Sequence, residues 1–471
     1  MLRGSERIGH GFGLWLGSLA ILSFLGAVDR ARAANKELSE IFIEVRPSAI
    51  ETRTAATREI AFIEVLELAL DQNLDLKLAR AEEEIRRARS QGATFKLVPA
   101  LEFGAGTAQT DGRVQGSFGI LADTRFDTKL ATASVTYQVN LGARILDALA
   151  ARKELDAAVY GVLNTRQRLL LRVAELYGNL GLARVGYQIA QQRTQDSEEF
   201  FRITSARERA GVGLGSDAAL ARVELATDRQ DLVLAREIWE TASVRLAVVL
   251  RLDSAVFLIP AENRLTPIDF EAAMRGQEAE QSARQRPDVE ASRRRMEAAA
   301  RRFTAAWWDL AGPELNAELR ETYIGDRADD TGDRRNAGLF VGWTLSLEKA
   351  AKLVERRAER KAAHLEALRE EERAAGEARR ALHEMEAARD RVPLAWDGLE
   401  AAQQNHRISL AQFKSGTALA LEVLDASDRL AGAQLDLARS IIDYNLSQVK
   451  LLAATGVLQL DLLQRPHQGG S

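Results

Sequence analysis

The stretch Arg209-Ala-Gly-Val-Gly-Leu-Gly-Ser-Asp217 returns in weaker form 205 residues later as Phe413-Lys-Ser-Gly-Thr-Ala-Leu-Ala-Leu-Glu422. In both places a long helical pattern enters and another leaves, so each stretch reads as the corner of a helical hairpin in which glycine supplies a positive φ. The echo continues downstream, where Val244-Arg-Leu-Ala-Val-Val-Leu-Arg-Leu252 lies over Val449-Lys-Leu-Leu-Ala-Ala-Thr-Gly-Val457 at the same offset. A period of this length predicts two structural copies of one plan.

Working outward from the tips, the outgoing helix of copy one spans about Ala143 to Arg209 without a proline. At about 1.5 Å per residue it would be a rod on the order of 100 Å long, which needs neighbours along its length. The return helix covers Ser216 to Leu252. In copy two the outgoing helix begins near Glu348, carries the charge-dense run Glu355 to Arg391 and continues to Lys414. Charge runs on helices are ordinarily solvated faces. Pro393 lies inside this pattern and is expected to kink or interrupt it. Each copy opens with a helical segment broken once, Ile60 to Lys96 at Asn73 and Phe270 to Trp308 at Pro287.

Between these segments the hydrophobic period switches from about 3.6 to 2, the change from helix to strand. Pro99 and Pro313 start the two switches. From Ala131 to Leu141 one face holds Ala131, Ala133, Val135, Tyr137, Val139 and Leu141, and the other holds Thr132, Ser134, Thr136, Gln138 and Asn140. Ala337 to Glu348 repeats the alternation. Preceding strands are expected at Leu97–Thr107 and Pro313–Tyr323, with polar loops Asp111–Thr128 and Gly325–Arg335. Such strands match the roughly 9 to 11 residues that cross a bilayer when tilted, and a half-buried soluble hairpin would alternate in the same way. Four strands cannot close a barrel, since the smallest transmembrane barrels use about eight, so membrane insertion requires several chains to share one. Trp307-Trp308, just before a strand, fits an interfacial anchor or core packing equally.

Composition agrees with long solvent-facing helices: charged residues make up 28% and aromatics 6%, with eight prolines and no Gly/Ser-rich linker. The net charge of -4 is too mild to imply nucleic-acid binding. Arg3 and Arg7 precede an apolar run from Gly13 to Val28 and then Ala31-Arg-Ala33, the pattern of a secretory signal peptide over residues 1–33. No other apolar stretch would cross a bilayer as a helix. Cysteine is absent, and His10, His364, His383, His406 and His467 are scattered without metal-ligand spacing. No phosphate-binding Gly-Lys loop, Gly-x-Ser-x-Gly elbow or His/Cys constellation argues for an enzyme, and no cofactor is implied.

Several of these features together resemble the TolC family of outer-membrane efflux proteins. The specific residues are Asn73-Leu-Asp-Leu76 and Arg286-Pro-Asp-Val289 after a leading helix, Pro99 and Pro313 before strands, and the two tips. The tip Phe413-Lys-Ser-Gly416 followed by Glu422-Val-Leu-Asp-Ala426 carries most of the likeness. The resemblance implies a mainly α fold of duplicated long helical hairpins forming an α-barrel tunnel, with four strands per chain in a shared trimeric twelve-stranded β-barrel. It implies an outer-membrane channel of a Gram-negative bacterium, most of its mass in the periplasm, serving a tripartite efflux or type I secretion system. The partners would be two further copies, a periplasmic adaptor protein, an inner-membrane pump and outer-membrane lipid; the conduit itself is passive. A non-conducting coiled-coil scaffold would explain the helices but not two matched strand hairpins.

The same resemblance implies site residues. Adaptor docking would fall on Gly211, Val212, Gly213, Leu214, Gly215 and Ser216 with Gly416 and Thr417, and a pore gate on Glu422, Asp425 and Asp217. The expected division is a signal peptide 1–33, an N-terminal extension 34–56, a first repeat 57–260 (strand hairpin 97–141, tip 210–217), a second repeat 261–458 (strand hairpin 313–348, tip 414–425) and a disordered tail 459–471. Two departures stand out. Val139-Asn-Leu-Gly142 and Leu345-Ser-Leu-Glu348 replace the family's Pro-Leu-Phe turn, and Ala418 replaces a basic residue common after the second tip glycine.

Overall fold

The structure is a computed structural model and describes residues 42–44, 57–115, 118–262, 264–268, 277–325 and 331–464. The signal peptide, most of the N-terminal extension, residues 269–276 ahead of the second leading helix and residues 465–471 lie outside the described residues. Contacts divide the chain into two units: Met1–Leu74, Arg166–Arg284 and Ala374–Ser471 form one, and Asp75–Thr165 with Gln285–Arg373 form the other.

The second unit contains the sheet. Strands β3 (Ala100–Gln115), β4 (Leu121–Val139), β7 (Glu314–Gly325) and β8 (Thr331–Gly342) are antiparallel in the order β3-β4-β7-β8. The register sets Leu101 beside Val135, Val135 beside Leu319 and Leu319 beside Ala337, with Ala317–Leu339 and Leu315–Val341 in the rows beyond, so one face is apolar across all four strands; Phe103 and Ala133 continue it on β3 and β4, where β7 and β8 carry Glu321 and Arg335. Thr132, Ser134, Thr136 and Gln138 share the opposite face with Asn316, Glu318 and Arg320. A soluble hairpin would bury its apolar face; here Phe103 is 80% exposed and Leu339 69%.

The strands differ from expectation at their ends. The expected loop Asp111–Thr128 is mostly ladder, because its charges fall opposite one another: Arg113 Nε lies 3.2 Å from Asp123 and Arg125 Nε 3.7 Å from Asp111. In the second hairpin residues 331–335 of the expected loop are strand, Arg335 pairing with Glu321 at 3.0 Å. Conversely β8 ends at Gly342, so Trp343 and Leu345 are off the strand and Leu347 begins a helix.

That strand-to-helix turn has its own chemistry. Asn140 is the N-cap of helix α3 (Leu141–Arg209): its Oδ1 accepts from the Ala143 N–H at 3.0 Å, and its Nδ2 donates to the Trp308 carbonyl at 2.7 Å and the Gly312 carbonyl at 3.3 Å. It thus ties the end of β4 to the end of α6 (Pro287–Ala311). Gly142 is required beside it, since a Cβ there would stand 2.6 Å from the Trp308 ring. In copy two Ser346 caps α7 (Leu347–Ser415) through the Lys349 N–H at 3.2 Å, and the Lys349 ammonium pairs with Glu314 at 2.5 Å. The missing Pro-Leu-Phe turn is replaced by side-chain caps. Lys153 and Glu297 at 2.7 Å, and Arg293 and Glu371 at 3.1 Å, fasten the unit's helices to one another.

In the first unit, β2 (Thr57–Ile60) pairs in parallel with β5 (Phe257–Pro260), and β1 (Ile43–Glu44) pairs with β6 (Arg264–Leu265). Helix α1 (Phe62–Gln72) ends at Asn73, whose Nδ2 donates to the Val249 carbonyl at 3.3 Å; α2 (Leu74–Phe95) follows directly and from Asp75 onward belongs to the second unit. Helices α4 (Gly215–Leu250) and α8 (Ala420–Ala454) return from the tips, and the short α5 (Gln277–Ala283) opens the second copy ahead of the break at Pro287. Trp239 is fully buried, 5.0 Å from the Phe257 ring and 5.3 Å from Tyr187.

Pro393 does not interrupt α7. Ala388, Val392 and Leu399 on either side of it are buried with Leu437, Ile441 and Tyr444, so packing carries the helix across, and the proline itself is exposed, where a freed carbonyl can turn to water. The expected disordered tail is corrected at its start: Leu460–Gln464 form α9, with Leu458 and Leu463 buried. Apolar burial offsets the entropy of ordering that segment.

Asn140→Ala should lower the thermal stability of the detergent-solubilised protein by about 1 kcal/mol or more, a lost N-cap, while Asn140→Ser, which keeps the accepting oxygen, should lower it less. Equal melting of the alanine variant and the parent would show that the turn does not depend on this cap.

Candidate functional site

The two helical tips are built by the same backbone device. Gly211 has φ 69° and its N–H donates to Glu208 at 2.9 Å, while the Val212 N–H reaches back to Arg207 at 3.1 Å. Gly416 has φ 82°, donating to Phe413 at 3.0 Å, and the Thr417 N–H reaches Gln412 at 2.9 Å. This pair of bonds is the Schellman closure, which uses the last free carbonyls of a helix and needs a left-handed residue, hence glycine. The chain then extends at Leu214 and Leu419 before α4 and α8 begin. The Asp217 and Glu422 N–H groups make the matching first-turn bonds, to Leu214 and Leu419, each at 3.1 Å.

Arg207 joins the tips. Its Nη1 donates to the Phe413 carbonyl at 2.9 Å and its guanidinium lies 5.1 Å from the centre of the Phe413 ring. Phe413 is buried, 5.0 Å from the Phe200 ring, in a cluster with Ala221, Ala420, Val423 and Leu424. Arg207 therefore completes a carbonyl at the end of the other hairpin and covers its aromatic anchor.

The expected docking residues lie on the outside of this frame. Val212 is 74% and Leu214 62% exposed, and Gly211, Gly215, Ser216, Gly416 and Thr417 are exposed as well; Gly213 is half-buried, its N–H donating to Arg207 at 3.1 Å. Of the expected gate residues, Glu422 and Asp425 are exposed in the first turns of α8, and Asp217 is half-buried in the first turn of α4. Asp425 is held by Arg429 at 3.0 Å. Among the described residues Glu422 and Asp217 show no ion pair. The three acids are thus brought to one end of the first unit without contacting each other.

Further along the same helices Arg193 of α3 meets three carboxylates, Glu224 at 3.0 Å and Asp228 at 2.7 Å on α4 and Asp428 at 2.7 Å on α8. Asp228 is buried and also accepts from the Ser197 hydroxyl. Burial first, and then the neighbouring Asp228 and Asp428 charges, push the Glu224 carboxyl above the usual carboxylate range, against the pull of Arg193.

The family model described as outer membrane efflux protein matches residues 65–250, from α1 through the first tip to the end of α4. Over residues 65–250 the chain is similar to that family. It shares its fold with VceC of Vibrio cholerae (19% identity, TM-score 0.76, covering 84% of this chain and 96% of that one). It is likewise similar to the outer-membrane channel OprN (19%, 0.76, 88% and 98%) and to the CmeC channel of Campylobacter jejuni (17%, 0.75, 88% and 92%). No curated protein matches the chain. Those three solved proteins are outer-membrane proteins, two of them described as channels, and this chain has their fold.

The family match falls within the first copy; the second copy repeats its sheet hairpin, 69-residue outgoing helix and tip. Sequence reasoning missed Arg207, Arg193, Asn140 and Ser346. A signal existed for the last two, because each stands immediately before a long helix and 206 residues from the other, and both are strong N-cap types. No pattern announced Arg207 or Arg193, whose partners lie on other helices.

Arg207→Ala should loosen the second tip, raising the rate of limited proteolysis between Phe413 and Leu419 severalfold. An unchanged cleavage rate would show that the aromatic cluster alone holds that tip.

Proposed function

We propose that three copies of this channel share one twelve-stranded barrel and one helical tunnel, and that the tunnel passes cargo outward when an adaptor protein and an inner-membrane pump engage its tips. The observation that carries this reading is the four-stranded sheet: β3 and β8 each have one partner, so both edges are open, while one face is apolar and exposed across the whole width. In hydrocarbon, open edges cost several kcal/mol per unmatched backbone group, and closure by equivalent edges of other copies removes that cost. Three chains of four strands are an even twelve, within the range of bacterial barrels. The same plan could serve a type I secretion pump; cargo is chosen by the pump, since the conduit performs no chemistry.

In this reading Val212, Gly213 and Leu214, with Gly211, Gly215, Ser216, Gly416 and Thr417 around them, form the adaptor-docking surface, small residues allowing close backbone approach. Glu422 and Asp425 are one helix face apart by three residues, and a threefold axis would gather three copies of each into an acidic ring that favours cations. Asp217, at the equivalent position in copy one, lies in an outer ring. Because Arg429 offsets Asp425 within the same chain, Glu422 carries more of the ring's charge. The copies divide at 57–260 and 261–458, so the two tips are free to take different roles.

Extraction with detergent should yield a trimer by native mass, and a monomer recovered from a periplasmic wash would overturn the shared barrel. In planar bilayers Glu422→Ala combined with Asp425→Ala should raise conductance and weaken cation preference, with Glu422→Ala alone giving the larger share. Unchanged conductance and selectivity would remove both residues from the gate.

A further inference from the structure

β4 is longer than the sheet it belongs to. Its residues Lys129–Val139 pair with β7, whereas the eight residues 121–128 pair with β3 alone. At about 3.3 Å per residue, this ribbon projects roughly 26 Å past the shared sheet.

The alternation changes phase where the ribbon leaves the sheet. In the shared part, odd-numbered residues of β3 and β4 such as Leu101, Phe103, Ala133 and Val135 form the apolar face, and even-numbered Thr132, Ser134 and Thr136 the polar one. In the ribbon the odd positions are Gln109, Asp111, Arg113, Asp123, Arg125 and Asp127, with Gln115 and Leu121 at its very end, and the Arg113–Asp123 and Asp111–Arg125 pairs stiffen it. The even positions from Gly106 to 114 and from 122 to Leu130 contain no charged residue; Ala108, Thr110, Gly112 and Thr128 are among them. A ribbon wet on both faces needs no such segregation. The odd face is the continuation of the lipid-facing side, so the uncharged even face is the continuation of the barrel's interior side.

We propose that the uncharged faces of three such ribbons pack against one another over the extracellular mouth, so that the binding partner of this surface is the same ribbon of the other two copies. The inference rests on the trimeric reading above. Twelve strands about 4.8 Å apart and tilted about 40° put the wall roughly 12 Å from the axis, within reach of a ribbon roughly 26 Å long. Gly112, with φ 138°, occupies a conformation open to glycine and supplies a place to bend. At the ribbon's end Phe118, Ile120 and Leu121 are exposed in the single chain, and a meeting of three tips would cover them. Lipid is the wrong partner, because the side that faces outward at this height is charged.

The chain has no cysteine, so single cysteines report cleanly. Thr110→Cys, on the even face, should give disulfide-linked dimers when intact outer membranes are oxidised with copper phenanthroline, while Gln109→Cys, on the odd face, should remain monomeric on a denaturing gel. Absence of Thr110 cross-links, or equal cross-linking at both positions, would overturn the cap. Native mass of the unmodified protein from the same membranes separates the failures: a trimer without Thr110 cross-links loses only the cap, and absence of a trimer loses the shared barrel as well. Thr110→Asp with Thr128→Asp should raise single-channel conductance about twofold or more through repulsion of like charges; unchanged conductance would also overturn the cap.

Discussion

A backbone amide in hydrocarbon has no water to bond, and the four-stranded sheet is the part of this chain that such a requirement would govern. β4 and β7 satisfy it within the chain, through eleven register pairs between Lys129–Val139 and Leu315–Gly325. β3 and β8 satisfy it on one side only. Both flanks of the sheet are therefore open, and its apolar face is exposed, which is why the proposed function closes it with equivalent edges of other copies. Helices α3 and α7 follow β4 and β8 closely in the chain, so their departure from the sheet is set locally. The caps at Asn140 and Ser346 and the packing of Trp308 on Gly142 set that departure.

Duplication supplied the repeated plan, and each copy then solved its local problems differently. Four helix ends close with the same pair of backbone bonds, at Gly211, Arg251, Gly416 and Gly456. The second of these uses arginine at φ 57° where its counterpart 205 residues on uses glycine, accepting steric strain of roughly 1 kcal/mol. The N-caps diverged likewise, Asn140 reaching two further carbonyls while Ser346 leaves that anchoring to the Lys349 and Glu314 pair. Such divergence is what lets one tip carry a bridging arginine and the other an aromatic anchor.

Much of this was legible in the residues. The switch of period from 3.6 to 2, the breaks at Asn73 and Pro287 and the glycine corners were read directly, because each depends on bonds or patterns within a few residues. The ends of the hairpins were misjudged. Asp111 to Thr128 looks like a loop by composition, yet Arg113 and Asp123 face each other across the ladder, a relation visible only once the register is known. Pro393 looked like an interruption, yet buried neighbours from α8 hold the helix together across it. Leu458 and Leu463 likewise order a segment whose composition alone suggested disorder.

By itself, then, the sequence determined the element types, the duplication and the positions of the tips, since hydrophobic period and glycine's access to positive φ are local properties. Tertiary structure alone decided what those tips hold. Arg207 reaching Phe413 across 206 residues, and Arg193 collecting Glu224, Asp228 and Asp428 from two other helices, are encounters between side chains that no local pattern encodes. The register did the same for the sheet, turning four ambiguous alternating segments into one continuous apolar face. A charge or an aromatic ring acquires its role from what is folded against it, and that depends on how distant helices and strands come to lie side by side.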